Sequence, residues 1–549
     1  MGDGTQASYD YVIIGGGSAG CVLANRLTAD PNISVVMLEA GPPDWSPLIH
    51  IPSGIIGLMW SRFLNWYYWT APQEHMGGRK LYWPRGKTLG GSSAINAQCY
   101  TRGSAADYDH WAELGNRGWG YGEMLAYFKR SERFEDGEND YHGAGGSYTV
   151  SKPRHSNPLN EKFIQAAQAC GYPRNDDFGG ATDQGFGLYD VAQNNGRRCS
   201  NADAFLHPVK HRKNLTVLTR AQAERIVFEG KRATGVALRQ GLLKRKRTLH
   251  AKREVLLCSG AINSPQLLML SGVGPRDAIE PHGIPMVAEL DGVGRNLQDH
   301  LDISVIDIEK TKLSLRMSPK FILIDSPKAI YQYFRHGRGQ FTSNIAESGG
   351  FISTTDDPRQ SDLQFHFIAT IEQDHGNVIN TMKHHGYSLR VCDLHPASRG
   401  RITLASAKPR DYPIIDPNYL AEPRDIEQMT KAVKIARNIM RAKPLAEHLE
   451  RPLEPQDADM QDDAAIADYV RRRAETIYHP VGTCRMGHDK AAVVDDRLRV
   501  HTLEALRVVD ASIMPTIVGG NTNAPTTAIA EKAADMIIAD RTADSRSGR

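Results

Sequence analysis

The chain has 549 residues, with 66 Lys or Arg and 63 Asp or Glu, so its net charge at pH 7 is +3. This balance supplies no basic stripe for a phosphate backbone, and we expect no nucleic-acid partner. The hydrophobic fraction of 40% and the 50 glycines exclude a mostly disordered chain.

The first elements predict a β-α-β unit. Residues 9–14 (YDYVII) form a short apolar run rich in β-branched and aromatic residues, which indicates a buried strand. Residues 21–30 (CVLANRLTAD) carry apolar positions on one helical face, and residues 33–39 (ISVVMLE) predict a second strand. Parallel strands joined by a crossover helix imply an α/β, doubly wound, Rossmann-like core.

Later segments are expected to return to this core. They are strands at 253–258 and 506–510 and a helix at 523–539. Between them we expect an interleaved α+β substrate-binding domain. The expected division assigns 1–154, 215–305 and 475–549 to the cofactor-binding domain, and 155–214 and 306–474 to the substrate domain.

A glycine-rich turn follows the first strand and matches the dinucleotide pattern G-x-G-x-x-G. Its glycines allow a tight turn, close approach of a pyrophosphate and close packing of the helix. The free N–H groups at the helix start favour an anion. An acid at the end of the second strand can bind ribose hydroxyls, and its charge favours FAD or NAD over NADP. The candidate residues are Gly15, Gly17, Ser18, Ala19, Gly20 and Glu39.

Two further small-residue segments bear on the cofactor. Residues 86–96 (GKTLGGSSAIN) would let backbone lie close to a flat ligand, although, taken alone, they are better explained as an ordinary glycine-rich loop. Residues 260–274 (GAINSPQLLMLSGVG) predict a loop that leads into a short helix capped by Asn263 or Ser264.

Taken together, these segments resemble the glucose–methanol–choline (GMC) family of FAD-dependent oxidoreductases. The resemblance extends from about residue 9 to residue 539. Beside the three segments above, it is carried in family order by 293–300 (VGRNLQDH), 478–487 (YHPVGTCRMG) and 508–526 (VVDASIMPTIVGGNTNAPT).

The resemblance implies an extended FAD. It places the pyrophosphate at Gly15, Gly17 and Gly20 and the adenosine ribose at Glu39. Ile95 occupies the position at which some relatives attach the flavin to a histidine, so we expect non-covalent FAD. The other implied contacts are Ala223 with adenine, Gly91 and Asn96 with the flavin, and Asp510, Ala511 and Thr526 along the ribityl chain and pyrimidine end.

The resemblance also implies a catalytic pair. His479 matches the family histidine that takes the hydroxyl proton, or stabilises the alkoxide, as hydride leaves for flavin N5. A neutral imidazole with an ordinary pKa of about 6.5 suits this task. Asn523 is assigned to the second family position, where its amide would orient the substrate oxygen. Asn523 could also cap the helix that starts near Pro525, and Asn521 lies two residues earlier.

Three further blocks, SNIAESGGF, DLHPASRGRITLAS and PIIDPNYL, look most like bacterial alcohol dehydrogenases of the choline dehydrogenase-like branch and the membrane-associated branch that acts on aliphatic alcohols. This resemblance implies oxidation of primary, aliphatic alcohols to aldehydes with a quinone as electron acceptor. Choline dehydrogenase, an oxygen-using oxidase and a lyase on the same scaffold are the alternatives. Glu347 could serve a cationic substrate, but quaternary-ammonium sites also need an aromatic cage. His366 could face the pocket or belong to an ordinary buried strand. The histidine spacing predicts no metal site.

Seven widely spaced cysteines without a Cys-x-x-Cys motif, and no secretory signal, predict a reducing, cytoplasmic location. No run of 18 apolar residues occurs, so we expect no membrane-spanning helix. Residues 49–69 carry several Trp and Tyr residues and could form a lid or core segment or touch a bilayer. Residues 318–334 mix Lys with apolar residues and could also make peripheral contact with the inner face of the membrane.

Overall fold

The computed structural model describes residues 7–241, 243, 245–316, 318, 326–355, 359–374 and 378–547. Of the predicted peripheral segment 318–334, residues 319–325 lie outside this range. None of the helices within it is long and apolar enough to cross a membrane.

The described strands are, in chain order, β1 Ser8–Ile14, β2 Val35–Leu38, β3 Tyr68–Trp69, β4 Tyr82–Trp83, β5 Glu132–Phe134, β6 Tyr148–Val150, β7 Gly185–Leu188, β8 Gln193–Asn194, β9 Arg197–Arg198, β10 Leu215–Leu218, β11 Ala221–Glu229, β12 Arg232–Gln240, β13 Arg245–Leu257, β14 Val273–Gly274, β15 Ala288–Glu289, β16 Leu301–Glu309, β17 Ser348–Ile352, β18 Leu363–Ile368, β19 Gly386–Asp393, β20 Arg401–Thr403, β21 Ile414–Asp416, β22 Leu449–Glu454, β23 Glu475–Thr476 and β24 Leu506–Val508. The α-helices are α1 Ser18–Leu27, α2 Pro47–His50, α3 Ile55–Met59, α4 Ala105–Glu113, α5 Tyr121–Ser131, α6 Pro158–Ala169, α7 Gly260–Leu270, α8 Arg276–Ile279, α9 Ser326–His336, α10 Val378–Lys383, α11 Pro423–Arg441, α12 Asp463–Arg473 and α13 Asn523–Ser547.

The first sheet confirms the predicted Rossmann-like core. Its strand order is β10-β2-β1-β13-β12-β11, and β24 pairs with β13. The four neighbours β10, β2, β1 and β13 are parallel, as is β24 beside β13. The apolar runs of β1 and β2 are buried, which is expected for parallel strands covered on both faces.

The second sheet is antiparallel and takes its strands from distant parts of the chain. Its order is β22-β16-β19-β18-β17-β7, with β23 beside β16. This is the expected interleaved α+β substrate domain. The predicted boundary at 305/306 falls inside β16, and the one at 474/475 assigns β23 to the wrong sheet. The apolar pattern of a single sequence does not show which strands pair, so it cannot locate these two boundaries.

The predicted start of α7 also needs correction. The helix begins at Gly260, not after Asn263 or Ser264. Its first turn is held from outside the helix, because the Asp510 carboxylate accepts hydrogen bonds from the Gly260 N–H (2.8 Å) and the Ser264 hydroxyl (2.6 Å). A carboxylate at a helix N-terminus is electrostatically favourable. A cap that lies 250 residues away in sequence leaves no local signal.

The close contact between α1 and the loop before it gives a stability prediction. A Cβ on Gly20 would lie 1.9 Å from the Gly15 carbonyl oxygen, whereas a Cβ on Gly122, in α5, would meet none of the described atoms beyond its own helix backbone within 4 Å. We expect Gly20→Ala to destabilise the fold by at least about 1–3 kcal/mol. Gly122→Ala, the matched control, should stabilise it by about 0.5–1 kcal/mol through helix propensity. Thermal denaturation of the two variants checks this, and equal shifts in Tm would contradict it.

Candidate active site

One large cavity lies between the two sheets, and it collects the predicted site residues from across the chain. Its wall includes the carboxyl ends of β1 and β2, the first turn of α1, the start of α13 and parts of β18 and β19. Of the predicted residues, Gly20 alone stays outside the lining and packs behind the glycine loop. The others that line it are Gly15, Gly17, Ser18, Ala19, Glu39, Gly91, Asn96, Ala223, His479, Asp510, Ala511, Asn523 and Thr526.

Two glycine loops meet at the floor of this cavity. Gly15 has φ +110°, and a Cβ there would lie 2.3 Å from the Cys258 carbonyl oxygen. Gly91 begins a 3₁₀ turn with φ +54°, and its Cβ would lie 2.7 Å from Cα of Gly17. The Gly90 N–H donates to the Gly16 carbonyl oxygen at 2.8 Å. Only glycine permits this approach, so residues 86–96 form a built wall of the cavity and not an ordinary loop.

The cavity offers the donor and acceptor set of a dinucleotide site. Gly17, the residue before α1, supplies no side chain to cap the first N–H groups of the helix, which leaves them for an anion. Glu39 is buried, and burial raises the pKa of its carboxyl to about 7. It accepts hydrogen bonds from the backbone of Gly16 (3.1 Å) and Gly41 (2.7 Å). Amide donors for a pyrophosphate and a carboxylate for ribose hydroxyls fit an FAD at this end.

The opposite end has a fixed polar frame. The side-chain oxygen of Asn96 accepts from Nη1 of Arg198 at 2.9 Å and from the Gln98 N–H at 3.1 Å. Arg198 is itself buried, which lowers its pKa to about 10. The Asp510 carboxylate is hydrogen-bonded to the first turn of α7. A ligand beside Ala511 would therefore meet the backbone of Asp510 and not its carboxylate.

His479 projects into this cavity from a tightly held segment. The preceding Tyr478 has φ 71°, which is strained for an aromatic residue. The His479 N–H donates to the Asp299 carboxylate at 2.6 Å. Burial lowers the pKa of the imidazole well below its usual value, and the neighbouring His300, His366 and Arg85 lower it further. His479 is therefore neutral near pH 7 and able to accept a proton.

The structure corrects the predicted partner of His479. Nδ2 of Asn521 lies 3.2 Å from His479 Nε2. The Asn523 side chain is fully engaged elsewhere: Oδ1 accepts from the Ser18 hydroxyl (2.7 Å), and Nδ2 donates to Tyr148 (2.7 Å) and Asn201 (3.2 Å). Asn523 thus joins the start of α13 to the start of α1. Both asparagines lie in GGNTN, and sequence position alone does not distinguish them.

Three other polar groups near the cavity were missed or left open by sequence reasoning. His300, in VGRNLQDH, has Nδ1 3.0 Å from Nδ1 of His479. His366, on β18, lines the cavity and stacks on Tyr189, and its Nδ1 has no hydrogen-bond partner among the described residues. Arg390, on β19, lines the cavity and binds Asp302 and Glu372. These contacts join distant strands, and a single sequence gives no signal for them.

Glu347 does not face the cavity. Its carboxylate accepts from the Asn157 N–H (2.8 Å) and the Asn160 amide (2.6 Å), so it fastens α6 to the second sheet.

In the described part of the chain, Asp44, Asp203 and His207 form the one group with the spacing of metal ligands. The ring nitrogens of His207 lie 3.4 Å from Asp203 and 3.2 Å from Asp44. These carboxylates raise the pKa of His207 to about 9. A protonated histidine between two carboxylates accounts for this cluster as ion pairs.

The aromatic segment 49–69 contributes both to the cavity and to the surface. Ile55, Ile56, Met59 and Trp66 line the cavity. Trp60, Phe63 and Trp69 are exposed at 39%, 84% and 45%. The segment therefore covers the site and presents aromatic side chains outward.

Comparison with known proteins identifies the class. Two sequence profiles, both described as GMC oxidoreductase, match residues 9–302 and 396–530. The chain belongs to this family, whose members depend on FAD. It is 49% identical over 536 residues to an alcohol dehydrogenase [acceptor] of Pseudomonas putida, with 96% of each chain covered.

Other relatives agree on the family and the fold. An oxygen-dependent choline dehydrogenase of Burkholderia vietnamiensis is 46% identical over 539 residues, covering 97% of this chain and 94% of the relative. The structure of pyridoxine 4-oxidase from Mesorbium loti superposes with a TM-score of 0.85 at 32% identity, covering 96% and 98%. A formate oxidase of Aspergillus oryzae, described in connection with FAD modification, gives a TM-score of 0.89 at 27% identity, covering 99% and 100%.

Proposed function

We propose that this protein oxidises uncharged primary alcohols, foremost aliphatic ones, to aldehydes with a non-covalently bound FAD. The observation that carries the proposal is a buried, neutral His479 beside the amide of Asn521, inside a cavity whose other end fits a dinucleotide. The alcohol oxidation itself is supported by the identity with the Pseudomonas putida alcohol dehydrogenase.

The chain's own groups account for the proton chemistry. FAD, held by the Gly15–Gly17 loop and Glu39, would supply the acceptor for the hydride of the alcohol when it is bound. His479 Nε2 accepts the hydroxyl proton, and its low pKa keeps it unprotonated before the substrate arrives. The Asn521 amide, which now donates to that nitrogen, donates to the substrate oxygen and holds it in line. His366 lines the same cavity, and its Nδ1 has no hydrogen-bond partner in the described part of the chain.

The wall of the cavity favours an uncharged substrate over choline. Ile345, Ile368 and Ile477 add to the apolar lining supplied by segment 49–69, and this suits an alkyl chain. The carboxylate of Glu372 is already engaged in an ion pair with the guanidinium of Arg390 at 2.8 Å, which Asp302 shares. The described lining contains two aromatic side chains of the kind that form a quaternary-ammonium cage, Trp66 and Tyr478. Two are too few for such a cage. Glu347, the carboxylate considered for choline, lies away from the cavity.

Non-covalent attachment is supported by Ile95, which lines the cavity and has no group able to bond to the flavin. Denaturing the yellow protein should release all of the flavin into the protein-free filtrate. Flavin that stays with the precipitated chain would contradict this.

The experiment that tests the function is anaerobic rapid mixing of the FAD-loaded protein with 1-octanol, benzyl alcohol or choline, followed by absorbance near 450 nm. We expect both uncharged alcohols to bleach the flavin, 1-octanol the faster, and a soluble quinone to reoxidise it faster than air does. Bleaching by choline alone would move the protein to the choline dehydrogenases. Faster reoxidation by air, with formation of peroxide, would make it an oxidase, and no bleaching by any of the three would contradict alcohol oxidation.

The two asparagines provide matched controls in the same experiment. Asn521→Ala should lower the rate of flavin reduction by on the order of tenfold to a hundredfold, because the substrate oxygen loses its hydrogen-bond donor. Asn523→Ala should lower FAD content or stability first, because its side chain ties α13 to α1. The reverse pattern would restore Asn523 to the catalytic position.

The proposal extends to a cytoplasmic protein held at the inner face of the membrane, where a quinone dissolved in lipid is the electron acceptor. Support comes from an exposed apolar face on α9, where Ile330, Tyr331 and Phe334 are 45%, 63% and 75% exposed. The hydroxyl of Tyr333 donates to the carbonyl oxygen of His50 at 3.3 Å, which places this face beside the segment that covers the cavity. Arg335 on the same helix adds positive charge, which favours anionic lipid.

Sedimentation with vesicles of phosphatidylethanolamine and phosphatidylglycerol tests this contact. Replacing Ile330, Tyr331 and Phe334 together with Gln should reduce the bound fraction severalfold. The control is Leu114→Gln with Leu243→Gln, which removes exposed apolar side chains from the residue after α4 and from the β12–β13 turn. Equal binding of the two variants and the parent protein would contradict a membrane role for α9.

A further inference from the structure

We infer that His300 is a positioning residue that fixes the proton of His479 on Nδ1, leaves Nε2 free to take the substrate proton, and supports the positive charge the ring then gains. The inference rests on the proposed role of His479 as the base. His300 is not part of the cavity lining, so it acts only through His479.

The hydrogen bond made by Nε2 of His300 fixes the tautomer of that ring. Its Nε2 lies 3.0 Å from the carbonyl oxygen of Leu394. A carbonyl oxygen can only accept, so Nε2 carries the hydrogen. Burial lowers the pKa of His300 to about 3, with a further contribution from the neighbouring His395 and His366. The ring is therefore neutral and has one N–H, which leaves Nδ1 as an acceptor.

The two histidines meet through their Nδ1 atoms, 3.0 Å apart, with ring planes at 86°. Because Nδ1 of His300 accepts, Nδ1 of His479 must donate. A neutral His479 that carries its hydrogen on Nδ1 has a lone pair on Nε2, the nitrogen that faces the cavity and Asn521.

The contact between Nε2 of His479 and Asn521 independently indicates the same tautomer of His479. The side-chain oxygen of Asn521 accepts from the Thr101 hydroxyl at 3.1 Å and from Nε2 of Gln364 at 3.2 Å. The amide is thereby turned so that its NH₂ group points to His479 Nε2, and that nitrogen must accept. The hydrogen bonds that begin at Leu394 and those that begin at Thr101 and Gln364 therefore indicate the same tautomer of His479, with the hydrogen on Nδ1 and the lone pair on Nε2.

The arrangement also prepares the ring for the protonated state. When Nε2 takes the substrate proton, the Nδ1–H bond to His300 becomes charge-assisted and strengthens. A leucine at 300 would remove the acceptor and leave a buried N–H without a partner. Misplacing the proton on a catalytic histidine is known to be costly in rate, as the Asp-to-Asn change in the serine protease triad shows.

The test uses the FAD-loaded protein labelled with ¹⁵N-histidine, without substrate, and reads the tautomer of His479 from two-bond ¹H–¹⁵N correlations. Assignment comes from His479→Gln. We expect the parent protein and His300→Asn, whose side-chain oxygen can replace the Nδ1 acceptor, to carry the hydrogen on Nδ1. We expect His300→Leu to populate the Nε2–H tautomer in part, because the Nδ1–H has lost its buried acceptor while the Asn521 amide still favours the Nδ1–H form.

Anaerobic flavin reduction by 1-octanol supplies the second readout. His300→Leu should lose on the order of a hundredfold in rate with FAD retained, and His300→Asn should stay within about tenfold of the parent. His110→Leu, the same change on the exposed face of α4, controls for the substitution itself.

An Nε2–H tautomer in the parent protein would overturn the inference whether or not His300→Leu folds. So would His300→Leu with an unchanged tautomer and rate. Failure of every alcohol to reduce the parent's flavin would instead contradict the proposed function, and the spectra would still decide the tautomer.

Discussion

The site depends on one line of hydrogen bonds that crosses the boundary between the two sheets. It runs from the Leu394 carbonyl through His300 and His479 to the Asn521 amide. His300 immediately precedes a strand of the second sheet, whereas Asn521 lies just before α13, which packs on α1 beside the first sheet. The catalytic geometry therefore exists only when both sheets are assembled.

The surroundings keep this line neutral. His300, His366 and His479 are all buried, and burial is the main reason that the pKa of each is low. The charged groups close by are paired, since Arg390 binds Asp302 and Glu372. Neutral imidazoles beside a cluster of paired ions give a site that can accept a proton.

Local sequence was sufficient for the parts of the fold that local forces determine. The apolar pattern predicted the strands on either side of the turn at Gly15–Gly20. The conformational freedom of glycine predicted the turn itself, and the position of Glu39 at the end of β2 predicted its role. The family resemblance added His479, Asn96 and Asp510, which all line the cavity. The true start of α7 was not predictable, because Asp510, which lies after β24, caps it from a distant part of the chain.

The partners of His479 required tertiary contacts. Asn521 and Asn523 have the same side chain two positions apart, and only their neighbours separate them: Thr101 and Gln364 for one, Ser18 and Tyr148 for the other. His300 lies in VGRNLQDH, one of the segments that carry the family resemblance. Its role was not predicted, because nothing in the local sequence indicates that it contacts a histidine 179 positions later.

The central claim is that His479 takes the proton of the alcohol. The most direct measurement is the anaerobic rate of flavin reduction by 1-octanol in His479→Ala, with FAD content determined on the same preparation. The account predicts a loss of on the order of a hundredfold or more with FAD still bound. A His479→Ala protein that retains its FAD and the parent's reduction rate would contradict it.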